Sequence, residues 1–308
     1  MTLKYSDCII TDARPKPADV EKLYSAQLRW NKSTLEFSHI LNVNGDRIKD
    51  FFHVDCTWLW GGSSEGPIDE NHAHDFGEVI GFVGSSREDP HNLNGEIRLM
   101  IDDQEIRLTK SCLIFVPPGV MHGPVLNMRI DKPVFFVTIA LTGRYSRQSI
   151  PVNGPEQPRK ESFSIVYDTK TRFTVAATDK NAPPPIPRDP SLRSTRLLHL
   201  EDDIAQGSFY VDFVWIWEGN GGAPAPEHAH DWVELIAMVG GDREHPYDLG
   251  GTMSIVLGDE THYMTRSSLV CVPRGLKHCP WKFIGIKKPT LVFTAGPSAM
   301  YSGSHKKD

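Results

Sequence analysis

Two stretches decide the reading: His72-Ala73-His74-Asp75-Phe76-Gly77-Glu78 and His228-Ala229-His230-Asp231-Trp232-Val233-Glu234. The second restates the first 156 residues later. Outward from them, Pro117, Gly119 and His122 return at the same offset as Pro273, Gly275 and His278. Arg87-Glu88 returns as Arg243-Glu244, and Tyr145-Ser146 as Tyr301-Ser302. Of the 75 ungapped pairs from His72 to Ser146, 28 are identical. Upstream, Val54-Asp55-x-x-Trp58-x-Trp60 matches Val211-Asp212-x-x-Trp215-x-Trp217 at an offset of 157, so one single-residue indel lies between Trp60 and His72. A period this long is not that of a solenoid; one whole domain occurs twice.

The copies run from 41 to 148 and from 193 to 302. Between them, 149–192 carries Pro183-Pro184-Pro185-Ile186-Pro187, which excludes helix and central strand and reads as an extended linker. Within the linker, Ile165–Tyr167 and Phe173–Ala176 are candidates for a short hairpin packed on a domain. Residues 1–40 form an N-terminal arm in which Asp19–Trp30 is expected to be helical, with Val20, Leu23, Tyr24 and Leu28 on one side. Residues 303–308 are a tail. Inside each copy the pattern is strand-like. Glu78–Val83 ends at Gly84, and Glu96–Ile101 alternates before Asp102-Asp103. The matching Thr252–Leu257 meets Gly258-Asp259, a turn pair suited to a hairpin. Leu113–Val116 and Val134–Leu141 add further short β-rich runs. The expectation is an all-β chain of two tandem sandwiches or barrels.

Composition agrees with a folded protein. Of 308 residues, 39% are hydrophobic and 23% charged, enough to build a core and to exclude wholesale disorder. The 33 basic and 39 acidic residues leave a net charge of −6, a poor footing for binding a phosphate backbone. No apolar run is long enough to span a bilayer, and the first ten residues lack the plan of a signal peptide. The five cysteines are odd in number and form no Cys-x-x-Cys pair, so a reducing cytoplasm is expected. Cys112 and Cys271 read as buried thiols, and Cys279, next to His278, as a candidate pocket residue.

The chemistry lies in the histidines. His72 and His74 share a face if extended, and Glu78 keeps their parity if the strand is unbroken. His122 follows a Pro-x-Gly turn. The second copy repeats the set as His228, His230, Glu234 and His278. Three imidazoles and a carboxylate suit a borderline divalent metal such as Mn, Fe, Ni, Cu or Zn, with coordination positions left for water or substrate. The four donors are unchanged between copies that differ at 47 of 75 aligned positions, which scattered turn residues would not require.

Gly66-x5-His72-x-His74-x3-Glu78-x5-Gly84 resembles the first motif of the cupin superfamily, as does Gly222-x5-His228-x-His230-x3-Glu234-x5-Gly240. Pro117-x-Gly119-x2-His122 and Pro273-x-Gly275-x2-His278 resemble the second motif. Ser111 and Ser267 stand where that motif usually opens with glycine. Leu126 and Lys282 stand where it expects asparagine. The resemblance, to a bicupin, covers about two thirds of the chain. It implies two double-stranded β-helix barrels of jelly-roll type, each with a metal near its wide mouth, Mn or Fe first. It also implies a homodimer.

Fold alone does not fix a reaction. A divalent ion with one carboxylate leaves about one positive charge, suited to an anionic or enolisable ligand: an enolate, a β-dicarbonyl, a phenolate or a carboxylate. The first reading is a metal-dependent dioxygenase. Redox-neutral alternatives are hydrolytic C–C cleavage of a diketone, decarboxylation and isomerisation. A sugar-binding or storage protein without catalysis is the competing class. Catalytic candidates are Glu78 and Glu234, with Arg87 and Arg243 as carboxylate clamps or solvated loop charges. Trp58, Trp60, Trp215 and Trp217 are candidates for cavity walls or core. His53, Tyr145, His262 and Tyr301 are candidates for acid or base.

Overall fold

The computed structural model describes residues 3–14, 32–146, 163–169, 190–222 and 225–299. The expected helix of the arm, Phe173–Ala176, the proline cluster, Tyr301 and the tail lie outside these residues. The described chain is almost wholly β. No described helix is long and apolar enough to cross a membrane.

A 3₁₀ turn, Ser6–Cys8, leads into β1 (Ile9–Ile10). Then follow β2 (Glu36–Val43), β3 (His53–Ile68), β4 (Glu78–Gly84), β5 (Asn92–Ile101), β6 (Gln104–Lys110), β7 (Cys112–Val116), β8 (His122–Ile130) and β9 (Val134–Ala140). After β10 (Ser164–Val166), the second series repeats the first: β11 (Arg193–Leu200), β12 (Tyr210–Gly222), β13 (Glu234–Gly240), β14 (Asp248–Leu257), β15 (Glu260–Arg266), β16 (Ser268–Val272), β17 (His278–Ile286) and β18 (Thr290–Gly296). The strand orders are the same: β10-β7-β4-β9-β3-β8-β5-β6 with β2 on β3, and β1-β16-β13-β18-β12-β17-β14-β15 with β11 on β12. All pairings are antiparallel.

The chain divides into two units, Ala13–Tyr167 and Met1–Asp12 with Asp168–Asp308. Ile9 pairs with Val270, and Ile165 pairs with Ile114. Both members of the first pairing reappear in the second at the 156-residue offset. The duplication therefore includes these edge strands, and their places are exchanged: the segment before the first repeat completes the second unit, and the segment before the second repeat completes the first. Ser164–Val166 is thus an edge strand on β7.

Period-two patterning places the core. Along β5, Leu93, Gly95, Ile97, Leu99 and Ile101 alternate inward. Ile80, Phe82, Ile97, Leu99, Ile114, Val116 and Met128 join strands of both walls in one interior cluster. Ile236, Met238, Met253, Ile255, Val270, Val272 and Phe283 do the same in the second unit. Each such side chain contributes roughly 1.5–3 kcal/mol when fully buried. Leu59 and Ile216 belong to these clusters, so Trp58 and Trp60, like Trp215 and Trp217, face away from the barrel interior. Trp58 and Trp215 are fully buried. Trp58 stacks on Trp60 and Trp215 on Trp217, and the indoles of Trp60 and Trp217 donate to Ser38 and Thr195. These tryptophans are outer-face core, not cavity walls.

Strand β5 meets β6 through Asp102-Asp103, with both residues left-handed (φ +47° and +61°), as a two-residue hairpin turn requires. At the opposite end, Ser111 Oγ donates to the Pro90 carbonyl at 2.6 Å and accepts from Gly84 N–H at 2.8 Å. Ser267 makes the same two bonds to Pro246 and Gly240. The serine in the place of the usual glycine is a tie between strand ends.

Candidate metal centres

The unbroken strand expected from His72 to Glu78 is not formed. β4 opens at Glu78, and His72 sits in an isolated bridge with His122. Each donates its N–H to the other's carbonyl, at 3.0 and 2.8 Å. His228 and His278 repeat this at 3.1 and 2.9 Å. The turn before the third histidine is fastened to the second: Gly119 N–H donates to the His74 carbonyl (2.7 Å) and Gly275 N–H to that of His230 (2.8 Å). Both glycines are left-handed, at φ +79° and +77°, which explains glycine there.

The rings converge. In the first cluster the centroid separations are 4.4 Å for His72–His122, 4.9 Å for His72–His74 and 5.0 Å for His74–His122. In the second the corresponding values are 4.3, 4.8 and 5.1 Å. Glu78 Oε2 lies 3.1 Å from His122 Nε2 and 3.6 Å from His74 Nε2. Glu234 Oε2 lies 2.7 Å from His278 Nε2 and 3.4 Å from His230 Nε2. Ligating atoms of His228, His230, Glu234 and His278 all fall within 4.8 Å of one another; in the first cluster those of His72, His74 and His122 do. All eight residues are buried.

Backbone carbonyls fix which nitrogen faces inward. Nδ1 of His72, His74 and His122 lies 2.7, 2.6 and 3.0 Å from the carbonyls of Glu70, Ser146 and Val120. Nδ1 of His228 and His278 lies 2.8 and 3.0 Å from those of Pro226 and Leu276. A carbonyl only accepts, so each of these Nδ1 atoms carries the proton and Nε2 presents its lone pair to the cluster, as a metal-ligating imidazole does. Yet Nε2 of His74, His122 and His278, with Glu78 Oε1 and Glu234 Oε2, is buried without a hydrogen-bond partner. Leaving such groups unmet costs about 1–3 kcal/mol each. A divalent cation among them satisfies all of these atoms at once, so the donor sets fit a metal in both barrels.

Burial pushes the Glu78 carboxyl up, but His122 and His74 outweigh it and hold the group down at about 2. Glu234 is likewise held at about 2 against burial by His230 and His278. Burial and the neighbouring His278 lower His228 to about 4, keeping it a neutral donor at neutral pH.

Other candidates separate by place. Glu78 and His53 both pair with Ala140, so they share a row on the interior face. The Tyr145 ring lies 4.6 Å from His53 and 4.7 Å from His74. His53 and Tyr145 therefore stand beside the first cluster. In the second barrel the His53 position is Tyr210, whose hydroxyl bonds that of Thr294 at 2.6 Å. His262 is buried on β15 and faces Glu260 at 3.5 Å. Cys279 is buried in the left-handed conformation (φ +74°) that Gly123 takes in the first copy (φ +75°), and burial holds it as a thiol.

Arg87 and Arg243 are not brought to the clusters. Both are exposed on loops beyond Gly84 and Gly240, at the far ends of the strands that begin with Glu78 and Glu234. Six steps along a strand carry the chain roughly 20 Å, and the Ser111 and Ser267 ties hold those loops at the far end. Their exposure on those loops matches the alternative reading, solvated loop charges. A charged set that the sequence reading missed lies inside the second barrel: Asp212 is held by Arg196 Nε at 2.7 Å and His199 Nδ1 at 3.1 Å, with Glu201 3.3 Å from His199 Nε2. In the first barrel the same place is Asp55 with His39 at 3.0 Å and Asn42 at 3.5 Å.

No protein-family profile and no curated protein sequence matches the chain. Solved structures do. A deletion mutant of Bacillus subtilis oxalate decarboxylase matches with a TM-score of 0.51 and 13% identity, over 88% of this chain and 76% of that one. An oxalate decarboxylase structure concerned with proton-coupled electron transfer matches with a TM-score of 0.51 and 12% identity, over 94% and 86%. One used to assign the Mn(II) centres of the Bacillus subtilis enzyme matches with a TM-score of 0.50 and 12% identity, over 88% and 76%. With the repeated sheets and the two clusters, these matches give the chain the fold of a bicupin. It is a tandem pair of cupin barrels, each carrying its own three-histidine, one-glutamate set.

Proposed function

We propose that this chain is a metal-dependent enzyme that cleaves a small carboxylate by redox-neutral decarboxylation, with a manganese ion held in each barrel. His72, His74, Glu78 and His122 are the ligands of one site, and His228, His230, Glu234 and His278 those of the other. The observation that carries the reading is the buried donor set with inward lone pairs, kept twice. A non-catalytic binding protein has no need to keep both. The likeness in fold to oxalate decarboxylases with Mn(II) centres supports decarboxylation over the dioxygenase first read from the sequence.

When bound, the ion supplies Lewis-acid charge that draws in a carboxylate and stabilises negative charge as the C–C bond breaks. The protein excludes water by burial of the cluster. It also supplies an imidazole and a phenol, His53 and Tyr145, in the first barrel. In a monoanionic dicarboxylate, C–C cleavage releases carbon dioxide and the remaining carbon takes one proton, so the products balance without net oxidation. His53, beside the first cluster, is assigned to pass that proton. A homodimer and a cytoplasmic setting, with its free thiols, belong to the same proposal.

The test is product analysis of manganese-loaded protein with oxalate and short 3-keto acids in an oxygen electrode. Carbon dioxide release without net oxygen uptake is expected. Oxygen consumed in proportion to product would restore the dioxygenase reading. No turnover by fully loaded protein would favour a binding role, and light scattering decides the dimer.

A further inference from the structure

The two clusters differ in what lies against the second histidine. Trp232 stacks on His230 with centroids 4.0 Å apart and planes 18° apart. Phe76 stacks on His74 at 4.6 Å and 9°. The indole needs a particular floor: a Cβ on Gly296 would lie 2.0 Å from Trp232 Cζ3 and 2.5 Å from Cε3. Gly296 is not among the left-handed glycines, so space, not backbone conformation, requires it. The first barrel has Ala140 at the equivalent position, with the smaller ring of Phe76 where the second has Trp232. Trp232 with Gly296 and Phe76 with Ala140 are thus corresponding pairs, the larger ring going with the smaller residue. The cluster with the indole is also the one whose four ligating residues all fall within 4.8 Å.

We propose that Trp232, seated on Gly296, is a positioning residue that fixes the imidazole plane of His230 and makes the C-terminal cluster the tighter of the two divalent-metal sites. The proposal rests on the reading of both clusters as metal sites. An imidazole whose plane is already set by packing loses less freedom when it ligates, so the groups behind a ligand tune affinity.

The experiment is Mn²⁺ equilibrium dialysis with metal analysis on the full chain. Sites are assigned by His72→Ala, which leaves the C-terminal cluster, and His228→Ala, which leaves the N-terminal one. The wild type is expected to bind two Mn²⁺ with two resolved affinities, the tighter lost in His228→Ala. Gly296→Ala drives a methyl into the indole and is expected to weaken the C-terminal site by about tenfold or more. Trp232→Phe with Gly296→Ala, which installs the first barrel's pair, is expected to bring that site to the affinity of the N-terminal one. Equal affinities in the wild type, or a folded Gly296→Ala with unchanged C-terminal affinity, would overturn the proposal and leave the metal reading intact. If Gly296→Ala does not fold, the double variant decides, and an undiminished C-terminal affinity in it overturns the proposal. Fewer than two Mn²⁺ on the wild type would instead overturn the metal reading.

Discussion

The two barrels share their donors and the turns that hold them, and differ in several of the side chains packed around them. The first has an aromatic stack inside, Phe82 on Phe136 at 5.0 Å, whereas the equivalent interior positions of the second are Met238 and Val292. The second has its stack on the outer face, Phe213 on Phe293 at 4.8 Å. His53 and Tyr210 occupy one interior position, and Asn42 and His199 another. Coordination tolerates no change in donor type, whereas apolar volume and buried charge can be balanced in several ways. The divergence is therefore concentrated where physics leaves alternatives.

The largest test of this comparison removes a donor. His72→Ala and His228→Ala should each reduce bound manganese by about one ion per chain, measured by metal analysis; a variant that keeps both ions would dissociate its cluster from metal binding. Next comes the buried acid. Asp212→Ala leaves Arg196 and His199 without their shared counter-charge in a site only 7% exposed at the acid. Breaking such a buried pair costs roughly 3–5 kcal/mol. Asp55→Ala should cost about 1 kcal/mol, because Asp55 and His39 are about one-fifth exposed. Urea unfolding compares the two, and equal losses would deny the asymmetry. Ser111→Ala and Ser267→Ala should lose about 1–3 kcal/mol each and by the same amount, since their two hydrogen bonds are duplicated; unequal losses would show that the ties are not equivalent.

A smaller effect lies in pH. Burial lowers the His199 pKa, but Asp212 and Glu201 outweigh burial and the opposing Arg196, and the net shift is upward. The Tyr210 ring also faces it, at 5.9 Å. A raised folded pKa means stability that is fully present below the unfolded value of about 6.5 and lost as pH rises through the folded value. His199→Asn, which installs the first barrel's residue, should flatten this decline in melting temperature from about pH 6.5 upward; an unchanged slope would assign the decline elsewhere. Smallest of all, Arg87→Ala and Arg243→Ala should change stability by about 0.5 kcal/mol or less and leave turnover unaltered. A large loss of turnover would put the loops back at the site.

The metal set was legible because its spacing recurs: His72, His74, Glu78 and His122 announce themselves twice. The barrels were legible from alternation in Glu96–Ile101 and from paired turn residues. Arg87 is near Glu78 in sequence, but an extended strand turns a short separation into a long distance. The sequence offers His53 as an acid or base, but its place beside Glu78 comes from register with Ala140, and the role of Asp55 from register with β2; both lie across strands and leave no local pattern. The Asp212 set was hidden for the opposite reason: in the other copy its partners are different residues, so comparing the repeats conceals it.

The exchanged edge strands carry a message about ancestry. A gene encoding only one repeat would specify a barrel whose own leading strand fits a neighbour's edge and whose edge awaits a neighbour's strand. Such a half would be completed by a second copy of itself, each lending what the other lacks. In the present chain both exchanges run within one polypeptide. Severing it after Val166 and before the second repeat would leave one piece with a donor strand and no recipient, and the other with a recipient and no donor.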